Sequence, residues 1–383
     1  MSYIPYGRQD INQDDIDAVV QVLRSDFLTQ GPIVPRFEEA VAKRVGAKHG
    51  VAVNSATSAL HIACAALDLG PGDWLWTSPI TFVASANCGR YCGAQIDFVD
   101  IDPDTFNMSP EALEHKLAKA EKAGRLPKVL VPVHMCGQSP DMSRISDLAR
   151  RYDIRVIEDA SHSIGAEYQN RSVGDCSHSD ITVFSFHPVK IITTGEGGLA
   201  LTNDEELATR MAELRTHGIT RDTARMSKES DGPWYYEQRE LGWNYRMTEM
   251  QAALGLSQVD RLEDFVARRR ELADRYDEAL SDLPLKIPGR LEDARSSWHL
   301  YVIRLDKSES RRAVFDYLRE AGIGVNLHYI PVHLQPYYRQ FGYSPGDYPA
   351  AEDYYERAIS IPLHPGLSDS ELHRVISDVS AVL

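Results

Sequence analysis

The chain carries little that would take it out of the cell or onto a membrane. Its five cysteines, Cys64, Cys88, Cys92, Cys136 and Cys176, are scattered and odd in number, with no CxxC spacing. That pattern reads as reduced thiols, not a disulfide framework. Cys88 and Cys92 would be neighbours on a helix, but two thiols do not complete a zinc site, and no histidines stand at HxxxH spacing. No apolar run approaches the ~18 residues of a membrane helix. The first residues, MSYIPYGRQDINQDD, lack the basic-then-apolar order of a secretory leader. Positive charge is also scarce: 41 Lys and Arg face 56 Asp and Glu, a net charge of −15. Such a surface repels a phosphate backbone, which weighs against nucleic-acid binding but leaves room for a local anion pocket. Repeats and low-complexity linkers are missing too. What remains is a soluble, cytoplasmic globular protein of 383 residues, 43% apolar and 25% charged. It is long enough for two or three domains with real cores.

What is present is an alternation of short apolar runs with amphipathic helices. Residues 10–25 and 36–45 have helical spacing with Asp/Asn capping signals. GVAVN (50–54) reads as a strand, SATSALHIACAAL (55–67) as a helix, WLWTS (74–78) as a strand and FVASANCGRYC (82–92) as a helix. QIDFVDI (95–101) and KVLVPVH (128–134) are strands, each followed by a helix, and IRVIEDA (154–160) and DITVFSF (180–186) complete the set. Continuous β-branched runs between helices are what a parallel sheet covered on both faces requires. A helical block spans about 204–219, followed by a polar loop at 221–238. One long charged helix is expected over 247–280, suited to bridging two domains. HLYVIRL (299–305), a helix at 309–321 and GVNLHYIP (324–331) suggest a smaller α+β domain. The expected architecture is a large α/β domain over 1–250 and a bridging helix with a small C-terminal α+β domain over 251–383.

Ligands of open α/β sheets collect at the carboxyl ends of the strands, and four segments put reactive groups there. In VNSATSALH (53–61) a strand runs into small hydroxyl residues that open a helix. This is either a simple N-cap by Asn54 or Ser55 or a phosphate cradle of free N–H groups and hydroxyls. In VIEDASHSIGA (156–166) Glu158 and Asp159 end a buried strand, with His162 three residues on. Carboxylates in such a place are costly unless paired. They are exposed loop acids, or one of them holds a protonated ring nitrogen. In TVFSFHPVKIITTGEGGLALTND (182–204) Lys190 stands between two apolar runs, before a glycine-rich turn. On an exposed hairpin it would be inert; near burial, desolvation makes it a Schiff-base nucleophile. In TSPITFVASAN (77–87) Phe82 follows a strand end, where an aromatic packs in a core or stacks on a planar cofactor. Phosphate donors, a ring-nitrogen carboxylate, a stacking aromatic and a Schiff-base lysine together are what pyridoxal phosphate needs.

NSATSAL, TSPITFVASAN, EDASHSIGA and SFHPVKIITTGEGG resemble, in order and spacing, the DegT/DnrJ/EryC1/StrS family of sugar aminotransferases that depend on pyridoxal 5′-phosphate. The likeness runs from FLTQGP near residue 27 to ISIPLHPGLS near 359. It implies fold type I, the aspartate-aminotransferase-like α/β fold, working as a homodimer with shared active sites. By position, Lys190 matches the lysine that carries the cofactor and Asp159 the acid on its ring nitrogen. His162 matches the residue near its phenolic oxygen, and Phe82 the ring-stacking aromatic. Ala56, Thr57 and Ser185 match phosphate contacts, although the family often has Gly where Ala56 stands; a backbone N–H serves from either. Asn244, in WNYRMTEMQAALG, matches the asparagine that one subunit lends to the other.

Within the family the chain is most similar to the pseudaminic-acid branch, through Tyr6, LTQG (28–31), NSATSAL, SFHPVKIITT and LHYIPVHLQPYY (327–338). That similarity implies transfer of an amino group from L-glutamate to C4 of a UDP-linked 4-keto-6-deoxy-N-acetylhexosamine. Tyr6, Asp26, Phe27, Leu28, Thr29, Ser55, His328, Tyr329, Ile330 and Pro331 would line the nucleotide-sugar site. Aminotransferases for other UDP-, dTDP- or GDP-keto sugars share most of these features. A sugar dehydratase on the same scaffold would have histidine in place of Lys190.

Overall fold

The computed structural model describes residues 3–383, apart from the side chain of Glu309. Two helices lead in, α1 (Gln13–Leu23) and α2 (Ile33–Val45). Asn12 caps α1 in a reciprocal capping box with Asp15, satisfying N–H groups that helix geometry leaves free. Seven strands then build the central sheet: β1 (His49–Val53), β2 (Trp74–Thr77), β3 (Gln95–Phe98), β4 (Val129–Val131), β5 (Arg155–Asp159), β6 (Ile181–Ser185) and β7 (Gly198–Thr202). Their spatial order is β1-β7-β6-β5-β4-β2-β3, with every pairing parallel except the two made by β7. The helices between them are α3 (Ala56–Ala66), α4 (Ala84–Tyr91), α5 (Pro110–Ala123) and α6 (Met142–Arg151).

Strand alternation divides the side chains between two layers. Val51, Val53, Leu75, Val129, Val131, Ile157, Ile181 and Val183 pack with α3 and α4 in one cluster. Trp76, Leu130 and Val156 pack with Leu113 and Leu117 of α5 and Ile145 and Leu148 of α6 in another. Each fully buried Val or Ile contributes roughly 1.5–3 kcal/mol relative to exposure. These two layers fix which face each end-of-strand side chain takes.

After β7 come α7 (Glu205–Arg215), α8 (Glu249–Val259) and α9 (Leu262–Leu280). The single helix expected over 247–280 is therefore two. Thr248 caps α8 in its own capping box with Gln251, and the chain breaks at Asp260–Arg261, where Arg261 reaches back to Asp10 and the buried Asp15. The helical block expected to 219 stops at Arg215 and gives way to a short strand pair, Ile219–Thr220 with Glu237–Gln238.

A second core forms around a three-stranded antiparallel sheet, β8 (Leu285–Lys286), β9 (Tyr301–Leu305) and β10 (Ala358–Ile361), in the order β8-β9-β10. Leu272, Tyr276 and Leu280 of α9 pack on Tyr301, Ile303, Ile359 and Ile361, with Leu372, Val375 and Val379 of the last helix, Asp369–Val382. Ile4 joins this core, and its backbone bonds to Gly322 and Gly324 carry the N-terminal segment alongside. GVNLHYIP, expected as part of the α+β domain, forms no strand and makes one isolated bridge, Asn326 to Ser360, just after Ile323 bridges Ile4. The strand pairing with β9 is Ala358–Ile361 instead.

Candidate active site

Adjacent acids at the end of β5 part company because the strand alternates. Asp159 shares a face with Ile157 and looks toward α3 and α4; Glu158 shares one with Val156. Glu158 is buried, and its oxygens take Ser179 Oγ at 2.6 Å and Thr182 Oγ1 at 3.2 Å, with His134 Nε2 at 2.8 Å. Burial pushes its pKa up, but His134, Ser179 and Thr182 more than offset that and hold it below the usual value. It is fully occupied with internal structure. Asp159 is equally buried, and its oxygens accept from Ser85 Oγ at 2.6 Å and from the Ser161 hydroxyl and N–H at 2.5 and 3.2 Å. These are neutral donors, and Asp159 lines a cavity of about 860 Å³.

Lys190 enters the same cavity from the connection between β6 and β7. Its backbone N–H donates to His187 O at 2.9 Å, which closes a turn after Pro188. Desolvation lowers its pKa to about 8, with the charge of Asp159 acting the other way. A lysine in this state has a usable free amine near neutral pH.

The cradle is built from three chain segments. Ser55 caps α3 by accepting from Ser58 N–H at 3.1 Å, which leaves the N–H groups of Ala56 and Thr57 at the positive end of the helix without intrahelical partners. Gly198, the first residue of β7, lies so close beneath that a Cβ there would stand 2.5 Å from Ala56 N and 2.6 Å from Ser55 C and O. Ser185 ends β6 on the same face as Ile181 and Val183 and also borders the cavity.

On the opposite side stand Phe82, 58% exposed toward the opening, and Tyr329, its ring centroid 6.1 Å away. His162 is buried; its Nε2 lies 3.3 Å from Tyr329 Oη, while Nδ1 has no hydrogen-bond partner. Burial, then the charge of Lys190, lowers its pKa well below the usual range. His328 binds Ser360 through Nδ1 at 2.8 Å, and burial with the Lys190 charge takes it down to about 3. Tyr6, packed against the cluster of α3 and α4, also reaches the cavity, 5.4 Å from His328 by ring centroids.

Of the residues singled out in the sequence, Tyr6, Ser55, Ala56, Thr57, Phe82, Asp159, His162, Ser185, Lys190, His328 and Tyr329 share this one cavity. The others lie elsewhere in the same chain. Asp26 and Phe27 line a separate recess with α1, α2 and α8, and Leu28 and Thr29 are exposed and tied to α8 through Glu249 N–H and Thr248. Asn244 is exposed and bridges Thr216; Ile330 points to solvent and Pro331 is buried outside the lining. Sequence reasoning offered Asn54 only as an N-cap and passed over Thr81, His187, Glu196, His299 and Asn326 as site residues; all of them border the cavity. His187 and Glu196 stood inside the quoted lysine motif; His299 and Asn326 carried no local signal.

The family model for DegT/DnrJ/EryC1/StrS aminotransferases matches residues 9–380. The chain belongs to this family. It is 42% identical over its whole length, and over 97% of the relative, to the spore coat polysaccharide biosynthesis protein SpsC of Bacillus subtilis. Among solved structures it matches the putative sugar aminotransferase Spr1654 of Streptococcus pneumoniae, in the PMP form, with a TM-score of 0.92 and 33% identity over 99% of this chain and 98% of that one. It also matches Helicobacter pylori PseC, an aminotransferase involved in the biosynthesis of pseudoaminic acid, with a TM-score of 0.91 and 32% identity over 100% and 99%. The protein is thus a sugar aminotransferase of fold type I that depends on pyridoxal phosphate. Among the described residues no helix is long and apolar enough to cross a membrane.

Proposed function

We propose that the enzyme moves an amino group from L-glutamate to C4 of a nucleotide-linked 4-keto-6-deoxy sugar, a UDP-linked N-acetylhexosamine of the pseudaminic-acid type. The observation that carries this reading is the convergence of Lys190, Asp159 and the open α3 cradle on one cavity. The likeness to PseC supports the sugar class.

The residues fit the cofactor group by group. The free N–H groups of Ala56 and Thr57, with Ser185, would hold the phosphate, at a turn that the missing side chain of Gly198 lets pack directly on β7. Asp159 would pair with the ring nitrogen, Phe82 cover the ring, and the orphaned Nδ1 of His162 meet the phenolic oxygen. When bound, pyridoxal phosphate supplies a sink for the electron pair left as the donor's Cα–H bond breaks. Asp159 would keep the ring nitrogen protonated, since a buried carboxylate favours a cationic partner. Lys190 Nζ would take the proton from the donor's Cα and hold it for return; its lowered pKa makes it a competent base. The donor would leave as 2-oxoglutarate, and the keto sugar would take up the amino group with Lys190 carrying the proton in the opposite direction.

Tyr6, His328 and Tyr329 supply the sugar-facing wall in this reading. A homodimer with shared sites accounts for the exposed Asn244 and Asp26–Thr29, which a second copy would present to the cavity. The division near residue 250 separates the cofactor-binding part from the part that carries the sugar wall, with Tyr6 crossing over from the N-terminus. The enzyme works in the cytoplasm, where its substrates are made.

The test is a visible spectrum of the purified protein, taken before and after L-glutamate, then after each candidate keto sugar. The cofactor band should bleach with glutamate and return with the UDP-linked 4-keto sugar. Return only with a dTDP- or GDP-linked sugar would overturn the substrate assignment, and no band after added cofactor would overturn the whole reading.

A further inference from the structure

Arg269 of α9 is a fully buried cation without a counter-ion. Its Nη1 donates to the carbonyl oxygens of Trp298, His299 and Leu363 at 3.1, 3.3 and 2.9 Å, and its Nε has no partner. No acid among the described residues compensates it, and desolvation alone takes its pKa down to about 9. An unbalanced buried guanidinium is expensive, and an apolar side chain of similar length usually serves stability as well or better. The geometry it holds is therefore the thing to explain.

Two of those carbonyls, of Trp298 and His299, belong to an awkward turn, and the third, of Leu363, follows β10. Trp298 sits at φ +52, in the left-handed region that bulky residues avoid. Ser296 Oγ accepts its N–H at 2.9 Å. Gly137, at φ +102, passes so near that a Cβ would lie 2.9 Å from the N atoms of both Trp298 and His299. The turn delivers two contacts to the cavity. Ser297 Oγ donates to His162 O at 2.9 Å, and the buried His299 ring lies against the His162 ring with centroids 4.4 Å apart. His299 itself borders the cavity, and its Nδ1 has no partner.

We propose that Arg269 is a positioning residue for the transamination site: it fixes the 296–299 turn, so that His299 backs the His162 ring and sets where that ring meets the cofactor. The proposal rests on the reading of His162 given above. The charged or titratable groups facing the two imidazoles are Tyr329, Lys190, His328 and His134 around His162, and Lys190, Arg269, His162 and His328 around His299. Burial, with Lys190 beside both rings and Arg269 beside His299, lowers both imidazoles well below the usual range, which suits a neutral hydrogen-bonding support for a phenolic oxygen.

The test uses the cofactor-loaded enzyme with Arg269→Met, Arg269→Lys and His299→Leu. Four readouts are taken: the pH midpoint of the visible cofactor band, kcat and KM for the glutamate half-reaction, and the melting temperature. Removing a nearby positive charge in Arg269→Met should raise the band midpoint by about half a unit or more. It should also lower kcat at least about tenfold, with KM for glutamate within about twofold. Arg269→Lys, which keeps the charge and a donor, should recover most of the midpoint. His299→Leu leaves the carbonyl that Arg269 grips and removes only the ring, so it should lower kcat in the same way even where Arg269→Met fails to fold. A wild-type midpoint and kcat in the folded Met variant, or a wild-type kcat in His299→Leu, overturns the proposal and makes Arg269 a structural clamp. A wild-type protein with no cofactor band at all overturns the cofactor reading and this proposal with it.

Discussion

Glu158 and Asp159 are neighbours in sequence and equally buried, yet substituting them should damage different properties. Glu158→Ala removes the acceptor of Ser179 and Thr182 and strands His134, which is wholly inaccessible, without its acid. Breaking a buried pair by deleting one partner costs about 3–5 kcal/mol. At ~2.1 cal/mol/K of unfolding entropy per residue, a chain of 383 residues has roughly 0.8 kcal/mol/K, so the melting temperature should fall by about 4–6 °C. The glutamate half-reaction of the protein that remains folded should stay within about threefold of wild type. Asp159→Ala deletes only acceptors for serine hydroxyls and an N–H group, a loss of about 1–3 kcal/mol. Its half-reaction should slow by on the order of 10²–10³-fold, the scale set by removing one charge-stabilising group from an active site. Thermal melts followed by rapid mixing with L-glutamate separate the two effects. The pH dependence has a definite sign. The Glu158 carboxyl is held below its usual 4.5, so its contribution is fully present above that pH and lost as the pH falls through the lowered value. The gap between wild type and Glu158→Gln should therefore close in acid. A Glu158→Ala protein that melts normally but has lost the half-reaction would show that the face assignment of the two acids is inverted.

Lys190→Ala should abolish turnover while still taking up pyridoxal phosphate non-covalently, seen as a band that glutamate no longer bleaches. Because burial lowers Lys190 to about 8, the apoprotein's rate of covalent cofactor uptake should rise about tenfold per pH unit up to pH 8 and level off above it; an ordinary lysine would keep rising to about pH 10. Gly198→Ala should lower the melting temperature and cut cofactor affinity at least about tenfold, measured by thermal melts and by titrating the apoprotein, because the new methyl group would stand 2.5 Å from Ala56 N and push the turn into α3 out of place. Ser55→Ala removes the α3 cap and should cost about 1 kcal/mol of stability.

Most of the cofactor half of the site was readable because its groups sit where periodic strands stop. β5, β6 and the turn into α3 announce their ends by composition, and parallel pairing brings those ends together. The face each end residue takes also follows from alternation, although only the structure shows His134 waiting for Glu158. What sequence could not supply is what depends on distant segments. The break between α8 and α9 rests on Asp15, some 245 residues upstream, receiving Arg261. The third strand of the small sheet, Ala358–Ile361, is four residues long and was seen only as part of a motif. GVNLHYIP has strand-like composition, yet tertiary context leaves it as a bridge-making connection whose side chains turn into the cavity. His299 and Asn326 entered the site through that same long-range placement, and no local pattern marks them.

The cavity is walled by residues of two kinds. Its cofactor face stands on the central sheet, where a one-residue shift of β5 or β6 would turn Asp159 or Ser185 away. Its other face, Tyr6 and 326–329, lies on connections held by backbone links such as Asn326 to Ser360, with Tyr6 and Tyr329 packed against the central-sheet cluster. Side chains on connections can change without shifting strand register, a freedom the reacting half does not have. Directed evolution toward a new acceptor sugar would do best confined to Tyr6 and 326–329, with libraries that never touch a residue of the sheet.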